Sequence, residues 1–200
     1  MELAGVVLAS YLLGSLPFGL WIGQWLYGID LRQHGSKNTG ATNAYRVLGR
    51  WPALLVFLFD TAKGMAGVYL ATMVVGGPLA EVLAGIAAIS GHNWSVLLGF
   101  KGGRGVATGL GVIALLAPKV TVIVFAVWAL VVWLTRYVSL ASIIAAALVP
   151  PLMWYFGAGL EILLFGVAAA TFVIVRHRPN IERLLRGEEL KIKAAEKKTS

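Results

Sequence analysis

Long apolar runs separated by short polar stretches dominate the chain, and run length rather than alternation is the leading signal. Crossing a bilayer takes roughly 20 apolar residues, fewer where helices are packed or distorted. Seven runs qualify as predicted spans: Leu3 to Tyr27, Trp51 to Val75, Leu79 to Leu98, Val106 to Ala117, Val120 to Leu134, Val138 to Phe156 and Leu160 to Val175. The fourth and fifth are short. Fused, they would make one helix with Pro118 and Lys119 near mid-bilayer, where a proline and a charge are both costly.

Charge placement separates them. With seven spans and the amino terminus outside, 15 of the 17 Lys and Arg residues fall inside, leaving only Lys119 outside and Lys63 within a span. Glu2, Glu81 and Glu161 fall at the outer ends. That asymmetry follows the positive-inside rule, and fusing the fourth and fifth runs would send the basic tail to the wrong side. The net charge of +8 is thereby an orientation signal, with the tail also suited to anionic head groups, and it gives no ground for nucleic acid.

Composition agrees: 58% of residues are hydrophobic and 13% charged, whereas charged residues approach a quarter of a soluble domain. Met1 and Glu2 enter the first run without a basic leader, and no small-residue cleavage site follows, so the run is expected to stay as an anchor. The absence of cysteine excludes disulfides, thiolate zinc sites and cysteine nucleophiles. Without an internal repeat or a separable soluble part, residues 1–200 read as a single all-α, polytopic membrane domain. Its polar cytosolic loops cover 28–50 and 99–105 and its cytosolic tail 176–200, with Ile181 to Ser200 amphipathic or frayed. Gly14, Ser15, Gly19 and Gly23 let the first helix approach its neighbours closely.

The unusual polar sequences gather on the cytosolic side. The first is Gly35-Ser36-Lys37-Asn38-Thr39-Gly40-Ala41-Thr42-Asn43, followed by Arg46 and Arg50. Glycines let backbone amides turn inward, and hydroxyl, carboxamide and guanidinium groups add donors, so the run suits a phosphate. Its composition is equally that of a solvated turn. It is not a nucleotide loop, since Ala41 stands where the lysine of such a loop belongs and no strand precedes it. The second, Phe100-Lys101-Gly102-Gly103-Arg104-Gly105, places two cations and three glycines where a helix begins. Free amides and the positive end of a helix favour an anion there. Cations alone would serve as snorkelling markers of the inside; the glycines are superfluous to that role. The third, Arg176-His177-Arg178-Pro179-Asn180, reads most simply as a helix-end anchor, with His177 beside Asn180 as the alternative partner for a hydroxyl nucleophile.

Asp60 and Lys63 share a helix face and are expected to neutralise each other in lipid. His92, Asn93 and Ser95 are placed to brace the second loop. No GxSxG elbow occurs, no histidine has an aspartate five positions on, and Asp30 is the one cytosolic aspartate. Neither a metal nor a cofactor is expected. Cations, amides, hydroxyls and glycines suit the holding of phosphates during direct transfer without a covalent enzyme intermediate.

Together the polar stretches resemble the bacterial PlsY family of acyl-phosphate:glycerol-3-phosphate acyltransferases. The resemblance rests on GSLPFG at 14–19, GSKNTGATNAYRVLG at 35–49, GHNWSVLLGFKGGRGVAT at 91–108, RYVSLASI at 136–143 and RHRPNIERLLRGEE at 176–189. Two positions depart from the family's usual residues, Lys37 for glycine and Arg104 for lysine, and both keep the site cationic. The resemblance implies transfer of an acyl group from acyl phosphate to the sn-1 hydroxyl of glycerol 3-phosphate, giving 1-acylglycerol 3-phosphate and phosphate. It implies a multi-pass protein of the bacterial inner membrane with its site facing the cytoplasm. Carried over by motif, Ser36, Arg46, Lys101, Arg104, His177 and Asn180 form the reacting pocket. Arg46 and Arg104 clamp phosphate, Ser36 and Asn180 orient, and His177 steers the hydroxyl. Gly35, Asn38, Thr42, Asn43, Gly102 and Gly103 donate to the phosphates. Partners are the two substrates and membrane lipids, and the resemblance admits a transient contact with an enzyme that makes acyl phosphate. A transporter for a phosphorylated solute is the competing function, although such proteins place their helix breaks near mid-membrane in paired repeats. A regulatory subunit would leave the glycine-rich loops unexplained.

Overall fold

In the computed structural model, residues 1–192 are described. They form ten α-helices: α1 (Glu2–Ser15), α2 (Phe18–Trp21), α3 (Ala41–Leu48), α4 (Arg50–Val74), α5 (Pro78–Asn93), α6 (Val106–Leu116), α7 (Pro118–Thr135), α8 (Val138–Tyr155), α9 (Leu160–Arg176) and α10 (Arg178–Leu185). No strand occurs among the described residues, and Ser95 and Lys101 form an isolated bridge.

Every predicted apolar segment carries a helix. Four stretches, Glu2–Leu26, α4, α7 and α8, are long and apolar enough to cross a membrane, and a fifth is if α9 and α10, bent by 54°, count together. The break that charge placement demanded is present: α6 ends with the Ala117 amide on the Ile113 carbonyl, and Pro118, with no amide of its own, opens α7. The first segment departs from one continuous helix. Pro17 interrupts it after Ser15, and a single π turn follows over Ile22–Leu26. The freed Leu16 carbonyl accepts a hydrogen bond from Lys63 Nζ at 2.9 Å.

Helix α4 packs against α1, α5 and α6, while α8 lies between α7 and α9, and α5 and α6 join the two groups through α9 and α7. Short α6 holds to α4 by reciprocal glycines. A Cβ at Gly64 would meet the Thr108 carbonyl, and one at Gly111 the Thr61 carbonyl, so both must stay small. Outward faces expose Leu8, Leu58, Val122, Trp133 and Leu164, which fits lipid as their solvent. Between α4 and the α7–α8 pair there is no broad contact, and the intervening gap is a cavity.

One element differs from the expected loop, and the tail takes the amphipathic of its two expected forms where it is described. Residues 41–48 form the amphipathic helix α3 rather than a polar turn, burying Asn43 and Ala44. The tail does not fray where it is described: α10 begins at Arg178, and the chain then folds back so that the Ile192 amide donates to the Arg136 carbonyl at 2.9 Å. The rest of the predicted tail, 193–200, lies outside the described residues.

Candidate active site

The cavity, of about 410 Å³, is walled by α4, α6, α7, α8 and α9 and roofed by α3 and the returning tail. Its mouth is polar and its depth apolar. Ser36, Asn38, Thr42, Asn43, Arg46, Arg104, His177 and Asn180 all line it, so eight of the sequence-predicted residues converge from three separate stretches. Lys101, Gly35, Gly102 and Gly103 do not reach its wall.

Asn43 organises the first loop. Its Oδ1 accepts the Ser36 amide at 2.8 Å, and its Nδ2 is shared among the carbonyls of Leu31, His34 and Asn38. Gly35, at φ +60°, presses against that carboxamide, where a side chain would be excluded. Asn38 Oδ1 in turn accepts the Gly40 amide at 2.8 Å. These groups are therefore spent on shaping the loop that presents Ser36. Thr42 and Arg46, one turn apart on α3, share its cavity face.

The second loop is held from behind. The Gly103 amide donates to the His92 carbonyl at 3.1 Å, its carbonyl accepts Arg176 Nη2 at 2.9 Å, and a Cβ on it would strike the His92 imidazole. Gly105, at φ +76°, turns the chain into α6, whose first residues also line the cavity. Arg104 reaches inward, whereas Lys101 stays exposed on the bridge to Ser95. His92 belongs to a second network: Asp60 Oδ1 lies 2.7 Å from Lys63 Nζ and 3.6 Å from His92 Nδ1. The expected ion pair and loop brace are thus one connected unit, closed by the Lys63 bond to Leu16.

At the third stretch, His177 ends α9 and its Nδ1 lies 2.7 Å from the Val173 carbonyl. A carbonyl only accepts, so Nδ1 carries the proton and neutral Nε2 keeps its lone pair. Burial first, and the Arg104 and Arg176 guanidiniums after it, hold the imidazole down to about 4 against the opposing pull of the Val173 carbonyl and Glu189. His177 is accordingly neutral near pH 7, a hydrogen-bond acceptor and a weak base.

Glu189 is the residue that sequence reasoning passed over. It is buried, its Oε1 accepts Ser139 Oγ at 2.8 Å and Asn180 Nδ2 at 2.6 Å, and its Oε2 accepts Arg183 Nε at 2.7 Å. These bonds hold the carboxyl below its ordinary range despite burial. The signal is the last of three acids, Glu182, Glu188 and Glu189, in an otherwise basic motif; burial sets Glu189 apart from the other two. The tail closes the mouth further where Arg46 Nη2 donates to the Leu190 carbonyl at 2.8 Å.

Burial pulls the Arg46 and Arg104 guanidiniums down from their ordinary values, with Arg183 adding repulsion and Glu189 opposing. Both stay cationic. Among the described residues neither has a carboxylate within ion-pair distance, and Arg46 Nε and Asn180 Oδ1 are buried without an intramolecular partner. An excess of positive charge with free donors, beside a neutral imidazole and above an apolar groove, fits an amphiphilic anion.

Three comparisons bear on this geometry. The family profile described as glycerol-3-phosphate acyltransferase matches residues 4–187. A glycerol-3-phosphate acyltransferase of Synechococcus sp. (strain JA-3-3Ab) is 51% identical, covering 92% of this chain and 91% of its own. Glycerol-3-phosphate acyltransferase 2 of Moorella thermoacetica is 47% identical, covering 93% and 95%. Among solved structures, the crystal structure of PlsY, an integral membrane glycerol 3-phosphate acyltransferase, in its glycerol 3-phosphate form superposes with a TM-score of 0.90 at 39% identity, covering 96% of each chain. Its lysophosphatidic acid form gives 0.89 at 38%, covering 96% and 95%.

Proposed function

This chain belongs to the glycerol-3-phosphate acyltransferase family, and from that membership we propose that it acylates glycerol 3-phosphate with acyl phosphate as direct donor. It is an integral membrane enzyme of glycerolipid synthesis. Family membership favours acyl transfer and gives no support to the transporter alternative.

The carrying observation is the join between a mouth with two uncompensated arginines and a groove of apolar side chains. Acyl phosphate has both halves, a phosphate and an alkyl chain, and glycerol 3-phosphate brings a second anion. Arg46 and Arg104 hold the phosphates, aided by the amides that open α6. Ser36 and Asn180 orient the substrates. His177 Nε2 accepts the hydrogen bond of the sn-1 hydroxyl and aims its oxygen at the acyl carbon. The new C–O ester bond forms as the bond from the acyl carbon to the phosphate oxygen breaks, and the hydroxyl proton leaves on the departing phosphate. Because that phosphate is already a good leaving group, catalysis rests on positioning and on charge stabilisation. Gly35, Gly102 and Gly103 act through loop shape, and Lys101 guides anions from the exposed rim. Seven spans, an outer amino terminus and a cytosolic site in the inner membrane complete the reading, supported by the basic loops and tail.

Purified protein supplied with acyl phosphate and labelled glycerol 3-phosphate should form lysophosphatidic acid without nucleotide or metal, and acyl-CoA or acyl-carrier protein should be poor donors. Efficient acyl-CoA turnover by pure enzyme overturns the donor assignment. A reporter fused after Ser200 should behave as cytosolic; exposure on the outer side overturns the orientation.

A further inference from the structure

The apolar groove has a floor. Helices α6, α7, α8 and α9 each contribute the lining side chain farthest from the mouth, namely Ile113, Val124, Val149 and Phe165. All four are buried and belong to one apolar cluster that continues below them with Val120 and Met153. Below the floor, between α8 and α9, Met153 Sδ packs against Gly166. The side toward α4 is walled by aromatic rings. Phe57 stacks on Phe125 at 6.3 Å and Phe125 on Trp128 at 6.0 Å, and Trp128 is pinned by its indole N–H to Ser142 Oγ at 3.2 Å.

We propose that this floor, with Phe165 as its largest member, sets the length of the acyl chain the enzyme accepts. The inference rests on the acyl-transfer reading above and adds to it a residue that determines specificity. From His177 down to Phe165, α9 covers about 18 Å at 1.5 Å per residue. An extended alkyl chain advances roughly 1.25 Å per carbon given single bonds near 1.5 Å, so the groove holds about 14 carbons below the reacting carbonyl. Longer chains meet a close-packed core that does not yield.

Purified enzyme in detergent receives acyl phosphates of 10 to 20 carbons, singly and in competition, with glycerol 3-phosphate, and the products are resolved by mass. Wild-type turnover should fall by roughly tenfold or more from 14 to 20 carbons, and Phe165→Ala should bring the two within about threefold. Ala146→Leu adds bulk to the groove one turn above Val149 rather than to the packed core. It should move the best donor shorter by about four carbons, the length of that turn. A wild-type enzyme that uses 14 and 20 carbons equally well overturns the proposal, as do folded variants whose length profiles superpose on it. Should Phe165→Ala fail to fold, the wild-type profile and Ala146→Leu decide. Absence of product with every donor overturns the acyl-transfer reading instead.

Discussion

Asp60 and Lys63 lie one turn apart on α4, both buried, each answered by the other and by His92 and the Leu16 carbonyl. Arg46 and Arg104 border the same cavity with no carboxylate in contact among the described residues, and Glu189, the buried acid nearby, is engaged with Arg183, Ser139 and Asn180. The first group is charge completed by the protein. The second is charge left for something else to complete. Buried ions lacking a partner are costly, so a surplus maintained at the cavity mouth points to an anionic ligand, while the balanced set, which borders the same cavity through Asp60 and His92, is charge the fold itself satisfies.

Breaking the balanced set should give the largest effect. Lys63→Ala strands the Asp60 carboxylate and should cost about 3–5 kcal/mol of stability, whereas replacing both by leucine should return most of it. Thermal unfolding in detergent measures both. A single variant as stable as wild type would show that the two ions are not interdependent.

Next come the arginines, where loss should appear in turnover and leave folding intact. Arg46→Ala or Arg104→Ala removes a charge-assisted contact that strengthens as the leaving phosphate gains charge, lowering turnover by about a hundredfold or more. Lysine at 104 should restore much of this, and lysine at 46 should not if that contact is a two-pronged guanidinium grip. Folded alanine variants with near-normal rates would reduce both residues to markers of the cytosolic side.

Glu189→Gln sharpens the contrast from the acidic side. It keeps the shape but weakens the bonds to Arg183 and Asn180, and steady-state kinetics should show about a tenfold loss, in part through KM. An unchanged KM would detach Asn180 from substrate binding.

The remaining effect is that of pH. His177 stays neutral down to about 4 in the fold but titrates near 6.5 when unfolded. The unfolded chain takes up its proton first, so the stability contributed by neutral His177 is complete above about 6.5 and is lost as pH falls from there toward about 4. The unfolding midpoint of His177→Gln should be flatter across that window; parallel curves would contradict the assignment.

The apolar segments, the α6–α7 break and the convergence of three polar stretches were legible because lipid imposes simple demands on length and charge. Helix α3 was not, since Gly40 through Asn43 is turn-like in composition and helical only once Asn43 is buried under the loop it ties together. Glu189 escaped for a related reason: its importance lies in Asn180, Ser139 and Arg183, which are distant in sequence or unremarkable in type. The break at Pro17 was readable from the proline alone, but an apolar run that continues through it hides the discontinuity.

The segment 186–192 follows every membrane helix in the chain and still supplies Glu189, the Leu190 carbonyl that receives Arg46, and the Ile192 amide that fastens to Arg136. Membrane insertion and completion of the cavity mouth are therefore separable: replacing 186–192 by a Gly/Ser stretch should leave the apolar helices inserted and folded while turnover falls, and a variant with normal turnover would make the segment dispensable.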